Sequence, residues 1–351
     1  SNIFPPLRHA AWDGCTPCDL VFPFFMFCVG ASMAFALAKY SSLTLEAAGK
    51  VFKRGILLYL VGLFCTAFPF YPEYMDPSLS FWENWVNWAG GVRLLGILAR
   101  IAMCYVLGSI LVLWLRKPVK LIGAALALAA THVGLLLAFA GPEGAFLLEG
   151  NFARTLDVAV FGENHIYSGY GIPFDPEGLL GVLTGTCTII IGYLVGMMIR
   201  SSSARYDQTG AVTESPVGLS ARLFSLSAAS LLMGLALGLI IPINKALWSV
   251  SYVFYSAGWA MFVLALLMYL IDVKGWEKPF FPFKALGMNP LAMFVFSGVL
   301  AKSLSCFLHW DSTVIFGANE WTSLLYAVLF MLVHLALAVL LYKKKIFIKP
   351  A

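Results

Sequence analysis

Residues 7–23 read Leu7-Arg8-His9-Ala10-Ala11-Trp12-Asp13-Gly14-Cys15-Thr16-Pro17-Cys18-Asp19-Leu20-Val21-Phe22-Pro23, and after Asp19 no charged residue follows until Lys39. A run of that length without charge is what a membrane-crossing helix requires. Thr16 stands at the N-cap, Pro17 at the first helical position and Asp19 at the third, a capping box with a pre-organised proline. The stretch therefore predicts a helix over 18–38 whose start holds His9 and Trp12 at the membrane surface. Eight further stretches have similar length and polarity: 51–69, 94–115, 119–140, 179–199, 220–241, 248–270, 286–305 and 321–342. The expectation is an all-α, polytopic transmembrane bundle of nine spans, with residues 1–351 forming a single membrane domain.

Composition agrees. Of the 351 residues, 60% are hydrophobic and only 12% are charged, with 28 Phe, 14 Tyr and 10 Trp. Soluble domains usually carry about twice that share of charge. A cytosolic enzyme and a disordered chain are excluded. Seven scattered cysteines do not make a disulfide scaffold. The net charge of +5 does not point to nucleic acid, because the basic residues fall in short clusters between the apolar runs.

Those clusters orient the chain. With His9 outside, one set of connections collects Lys39, Lys50, Lys53 and Arg54; Arg116, Lys117 and Lys120; Arg200, Arg205 and Arg222; Lys274, Lys278 and Lys284; and Lys343, Lys344, Lys345 and Lys349. Most acidic residues lie on the opposite side. The positive-inside rule then predicts an outer N-terminal segment and a cytoplasmic C-terminus. Two outer connections, 70–93 and 141–178, are too long for simple turns. Their mixture of aromatics and carboxylates suits a sugar face, and the tryptophans among them also suit an interfacial belt.

Polar groups at the outer face supply the candidates. His9 and His165 can accept a proton near neutral pH or act as nucleophiles. His132, His309 and His334 lack a comparable polar setting, and no spacing resembles a zinc site. Cys15-Thr16-Pro17-Cys18 at a helix start has the form of a redox pair, an incidental thiol pair or an outer disulfide. Arg93 and Arg100 are seven residues apart, which on a continuous helix places both on one face. That face suits a phosphate-bearing ligand, a buried carboxylate or a structural ion pair.

Taken together, several of these segments resemble the heparan-alpha-glucosaminide N-acetyltransferase family of transmembrane acyltransferases. The resemblance is carried by Leu7-Arg8-His9 with Trp12, Gly14, Thr16 and Asp19-Leu20-Val21-Phe22-Pro23. It continues through Gly96-Ile97-Leu98-Ala99-Arg100, Phe174-Asp175-Pro176-Glu177-Gly178-Leu179-Leu180-Gly181, Leu247-Trp248-Ser249-Val250-Ser251-Tyr252, Asp272-Val273-Lys274-Gly275 and Gly287-Met288-Asn289-Pro290. It implies transfer of acetyl from cytosolic acetyl-CoA to a glucosamine amine, free or ending a glycan, across a bacterial inner membrane. His9 matches the catalytic histidine. Asn289 becomes a second catalytic candidate, and Trp12, Asp19, His165, Asp175 and Glu177 become substrate-site candidates. The family pattern does not require Cys15 or Cys18. It also includes a further helix before the histidine, with an active-site asparagine, which would make ten spans.

Acetyl-CoA, as the donor, would keep its nucleotide near the cytoplasmic basic loops, where Lys53, Arg54, Lys120 and Arg222 are candidate phosphate contacts, with Arg93 and Arg100 deeper in. His9 would act either as general base in direct transfer or as a nucleophile forming an acetyl-imidazole. Expected partners are acetyl-CoA, the amino sugar or glycan and membrane lipid, with no metal and no nucleic acid; a homo-oligomer is compatible. The alternatives are an O-acyltransferase acting on an extracytoplasmic glycan and a sugar or proton transporter.

Overall fold

Long apolar runs separated by capped starts produce an all-helical chain. The computed structural model describes residues 3–71, 75–204, 215–308 and 319–348; Arg205, His309 and Lys349 lie outside them. Along the chain come α1 (Val21–Ala36), α2 (Leu45–Ala67), α3 (Phe81–Ala89), α4 (Ile97–Leu115), α5 (Pro118–Ala138) and α6 (Phe152–Phe161). They are followed by α7 (Gly181–Ala204), α8 (Pro216–Gly238), α9 (Val250–Met268), α10 (Phe281–Gly287), α11 (Pro290–Leu308) and α12 (Glu320–Lys343). Thr44, Ser80, Asn151, Ser215, Ser249 and Asn319 cap α2, α3, α6, α8, α9 and α12 by accepting a first-turn N–H.

Among the described residues, seven helices are long and apolar enough to cross a membrane, or eight if one bent pair is a single span. Two of the nine expected spans account for the difference. α2 has 23 residues, yet its first ten include Glu46, Lys50, Lys53 and Arg54. The expected 286–305 span is broken, since Lys278–Gly287 and Pro290–Cys306 meet at 74°. Pro290 has no N–H and disfavours helical geometry in the residue before it, so the helix ends and restarts there.

The centre of the bundle is α1 against α7. A Cβ on Gly30 would stand 2.0 Å from the Ile189 carbonyl oxygen, and one on Gly192 would stand 2.1 Å from that of Phe27. Only hydrogen fits, so the two backbones pack directly, as small residues allow inside membranes. Met26, Cys104, Ile189, Ile190, Trp248 and Tyr252 fill the core around them. α9 turns back on α8, fastened by the Ser227 hydroxyl donating to Gly258 O (2.8 Å) and that of Ser230 to Phe254 O (2.7 Å). Large apolar residues on α8 and α12, among them Leu235, Met331 and Val333, face outward, as lipid contact requires.

Several connections meet at one end of this bundle. There Trp12 Nε1 donates to Phe146 O (2.9 Å), Gly14 N to Ile243 O (2.7 Å) and Leu94 N to His165 O (3.0 Å). The opposite end carries the segment after α12, where Asn289 donates to Ile346 O (3.0 Å) and accepts from Ile348 N (2.7 Å).

Candidate active site

The start of α1 builds the site from its own cap. The carboxylate of Asp19 turns back, and Oδ2 accepts from the N–H groups of Thr16 and Ala10, each at 3.0 Å. The Thr16 hydroxyl donates to Arg8 O at 2.7 Å and so folds residues 8–16 over the helix start. Tyr252, from α9, holds the same turn by donating to the Asp19 carbonyl at 2.7 Å. Asp19 is buried, and its remaining oxygen, Oδ1, lies 2.6 Å from His9 Nδ1. A carboxylate only accepts, so the ring proton sits on Nδ1 and the lone pair of Nε2 is free to act as a base. The His9 side chain is 60% exposed, which leaves that nitrogen accessible. Cys18 Sγ lies 3.7 Å from it.

Lys245 completes the group, with Nζ 3.3 Å from Asp19 Oδ1 and 3.2 Å from His9 Nδ1. It arrives on the turn between α8 and α9, which Asn244 organises. The Asn244 side-chain oxygen accepts from Leu247 N (2.8 Å), its N–H donates to Ser249 Oγ (3.0 Å), and its amide reaches Asp13 (3.1 Å). An ammonium beside a buried carboxylate offsets the desolvation of both.

A second cluster sits beside this one. Arg93 forms a two-toothed pair with Asp175, at 2.8 and 2.6 Å, and also donates to Glu177. Its guanidinium lies 4.9 Å from the Tyr167 ring centre. Burial alone would lower the Arg93 pKa, but the Asp175 and Glu177 carboxylates outweigh it and raise it. Arg100 grips the same turn from below, donating to Pro176 O (3.1 Å) and Gly178 O (2.8 Å), with its guanidinium 5.4 Å from the Trp248 ring centre. The two arginines do not share a helix face, because α4 starts only at Ile97. They converge instead on residues 175–178, and their fixed partners are carboxylates and backbone carbonyls. Asp157 lies beneath the same turn. Its Oδ1 accepts from Leu179 N (2.9 Å), Oδ2 has no partner, and burial pushes its carboxyl up to about 7.

The other sequence-derived candidates divide between the two ends. Trp12 packs edge-on against Tyr170 and Phe174, with ring centres 5.7 and 5.2 Å apart. His165 Nδ1 meets the Val92 carbonyl at 2.8 Å. Both belong to the His9 end. Asn289 does not: its bonds to residues 346 and 348 place it beyond the far end of α12, a helix of 24 residues, or about 36 Å. Lys53, Arg54, Lys120 and Arg222 are also remote from His9. Arg54 stacks on Tyr105, with Cζ 5.3 Å from the ring centre, while Lys53 and Lys120 are exposed. Arg222 borders an apolar groove of about 990 Å³ between α5, α7, α8 and α9, lined also by Ile122, Met198, Met233 and Phe254. Among the described residues no cluster of His, Cys, Asp or Glu is placed to hold a metal. Cys15 and Cys18 are free thiols.

Sequence reading passed over Lys245. Its signal was a lysine between two apolar runs, directly ahead of the Leu247–Tyr252 motif, and only the fold brings it across 236 positions to His9.

Fold and site together define a polytopic helical membrane protein with a solvent-accessible His–Asp centre at one end of its bundle. The chain is similar over 97% of its length, at 27% identity, to heparan-alpha-glucosaminide N-acetyltransferase of Mus musculus, covering 56% of that protein. It is 26% identical over 82% of its length to the Homo sapiens protein of the same name, covering 48% of it. The chain thus spans about half the length of these curated relatives. No protein-family model matches it.

Proposed function

We propose that this chain is a transmembrane acetyltransferase, moving acetyl from cytosolic acetyl-CoA to the amine of glucosamine or a glucosamine-ended glycan on the periplasmic side of a bacterial inner membrane. The observation that carries the reading is the contact of His9 Nδ1 with the buried Asp19 carboxylate at 2.6 Å, in a chain whose long-range likeness is to N-acetyltransferases. In this reading α2 and the bent pair count as spans, and a preceding helix brings the total to ten. His9 then faces outside and Lys343–Lys345 face the cytoplasm.

His9 Nε2 takes the proton that the attacking amine releases, while Asp19 holds the ring in the required tautomer and stabilises the imidazolium that forms. Lys245 balances the charge of Asp19 between turnovers. Trp12 and His165 offer a ring face and a polar edge to the sugar. Asp175 and Glu177, held by Arg93, shape the wall beside it. At the opposite end Lys53, Arg54, Lys120 and Arg222 supply positive charge for the nucleotide phosphates, and the groove beside Arg222 accepts the apolar part of the donor.

The test uses full-length protein in sealed vesicles loaded with acetyl-labelled acetyl-CoA. Glucosamine, glucose or buffer is added outside. Label on external glucosamine alone supports the reading; equal loss of acetyl-CoA in all three, with no labelled sugar, refutes it.

A further inference from the structure

His9 Nε2 does not face an empty approach. The Cys18 thiol lies 3.7 Å from it and donates toward its lone pair, while His9 Nδ1 is held 2.6 Å from Asp19 Oδ1. Thiol, imidazole and carboxylate are thus in the order of a nucleophilic triad. We propose that Cys18 is a catalytic nucleophile on which the acetyl group rests between donor and amine, with His9 as its base and Asp19 orienting the ring. The proposal rests on the acetyl-CoA reading above.

The local fold explains how three near neighbours in sequence reach this geometry. Cys18 and Asp19 occupy the tight turn Pro17–Leu20 that opens α1, so their side chains leave the turn in different directions. Residues 8–16 fold back under the Thr16–Arg8 bond and set the imidazole between sulfur and carboxylate. Lys245, in contact with both His9 and Asp19, adds positive charge to the cluster.

The other cysteine of the pair provides an internal contrast. Cys15 donates toward the neighbouring Thr16 carbonyl at 3.6 Å. Only one sulfur of Cys15-Thr16-Pro17-Cys18 faces the imidazole. The same contact argues for His9 as base rather than nucleophile, since its lone pair already points at the S–H proton.

The chemistry balances without a further reactant. Cys18 Sγ attacks the acetyl-CoA thioester carbonyl as His9 takes the thiol proton. The C–S bond to CoA breaks, and CoA leaves as a thiol with the proton returned by His9. Acetyl-Cys18 is itself a thioester, so the exchange trades like for like. The acceptor amine then attacks acetyl-Cys18, His9 takes the amine proton, and the C–S bond breaks to give the amide and the Cys18 thiol. Holding the acetyl at the His9 end lets CoA depart before the sugar docks.

The experiment has two arms on the full chain in lipid. In the first, labelled acetyl-CoA is supplied without acceptor, the reaction is acid-quenched and the label is mapped by peptide mass. The expected result is acetyl on Cys18, released by hydroxylamine, discharged by added glucosamine as fast as turnover, and absent from Cys18→Ala. Cys15→Ala should label normally. Cys18→Ala should lose transfer on the order of a hundredfold. The second arm needs no acyl donor: iodoacetamide should alkylate Cys18 faster than Cys15, and His9→Ala should slow Cys18 about tenfold. His9→Gln repeats the comparison if His9→Ala fails to fold.

Normal transfer to glucosamine with no acetyl on Cys18, or near-normal transfer by folded Cys18→Ala, overturns the proposal while the acetyltransferase reading stands. Alkylation of Cys18 that ignores His9 overturns the triad. No acetyl transfer and no label with His9-dependent alkylation intact overturns the acetyl step together with the acetyltransferase reading.

Discussion

Replacing Asp19 by asparagine removes one charge from the centre of the site while keeping its shape. The Asp19 side chain is 2% exposed, and its Oδ2 accepts two backbone N–H groups at 3.0 Å. The introduced amide must therefore leave its oxygen in that position and turn its NH₂ toward His9 Nδ1 and Lys245 Nζ. Three donors cannot share that space, so the imidazole proton moves to Nε2 or the ring swings away. Either outcome removes the base proposed at His9. The same loss of tautomer control in a serine protease lowers turnover about 10⁴-fold, equivalent to roughly 5 kcal/mol of barrier. Stability should fall much less, by about 1–3 kcal/mol, because Lys245 has a side chain 23% exposed and can reach water. Initial rates of acetyl transfer and thermal unfolding in detergent measure the two effects separately. Nitrogen chemical shifts of the five histidines, with His9 assigned by difference against His9→Gln, report the tautomer directly. If folded Asp19→Asn keeps more than a tenth of wild-type turnover, or His9 keeps its Nδ1 proton, the role assigned to Asp19 is wrong.

Two further outcomes follow from the buried groups beneath residues 175–181. A Cβ on Gly181 would lie 2.6 Å from Arg100 Nη1, and Arg100 is pinned by two carbonyls, so Gly181→Ala should lower stability by about 1–3 kcal/mol. Gly123→Ala, with nothing within 4 Å of the new carbon, should be neutral or slightly stabilising; equal melting temperatures for the two variants would refute the close packing. Asp157 has a folded-state pKa of about 7 against an ordinary 3.8, so between about pH 4 and 7 the folded chain holds a proton that the unfolded chain has released. Its stabilising contribution is complete below that window and is lost as pH rises through it, up to about 4 kcal/mol. Asp157→Asn should accordingly melt with a flatter pH dependence and be the more stable protein at pH 8; identical pH profiles would show that Asp157 is ionised throughout.

Helix content was legible because each span satisfies its own backbone, so apolar length and an N-cap are enough to locate it. The capping role of Asp19 was legible for the same reason, since Thr16, Pro17 and Asp19 act within one turn. Regularity misled in two places. Seven-residue spacing puts Arg93 and Arg100 on one face only if the helix is continuous, and it begins at Ile97. The 286–305 run looks like one span by composition but breaks at Pro290.

What the sequence by itself determined was therefore the class of protein and the capped start of α1, both consequences of interactions that act over a few residues or of bulk apolarity. The tertiary structure alone decided the company those residues keep. Lys245 reaches Asp19 across 226 positions, and Asp175 meets Arg93 across 82. Asn289 goes to the opposite end, held by the segment that follows α12. Such pairings depend on which helices pack and at what depth. That is settled by backbone contacts such as Gly30 on Ile189, and no local pattern of polarity encodes the partner of a charge that distant.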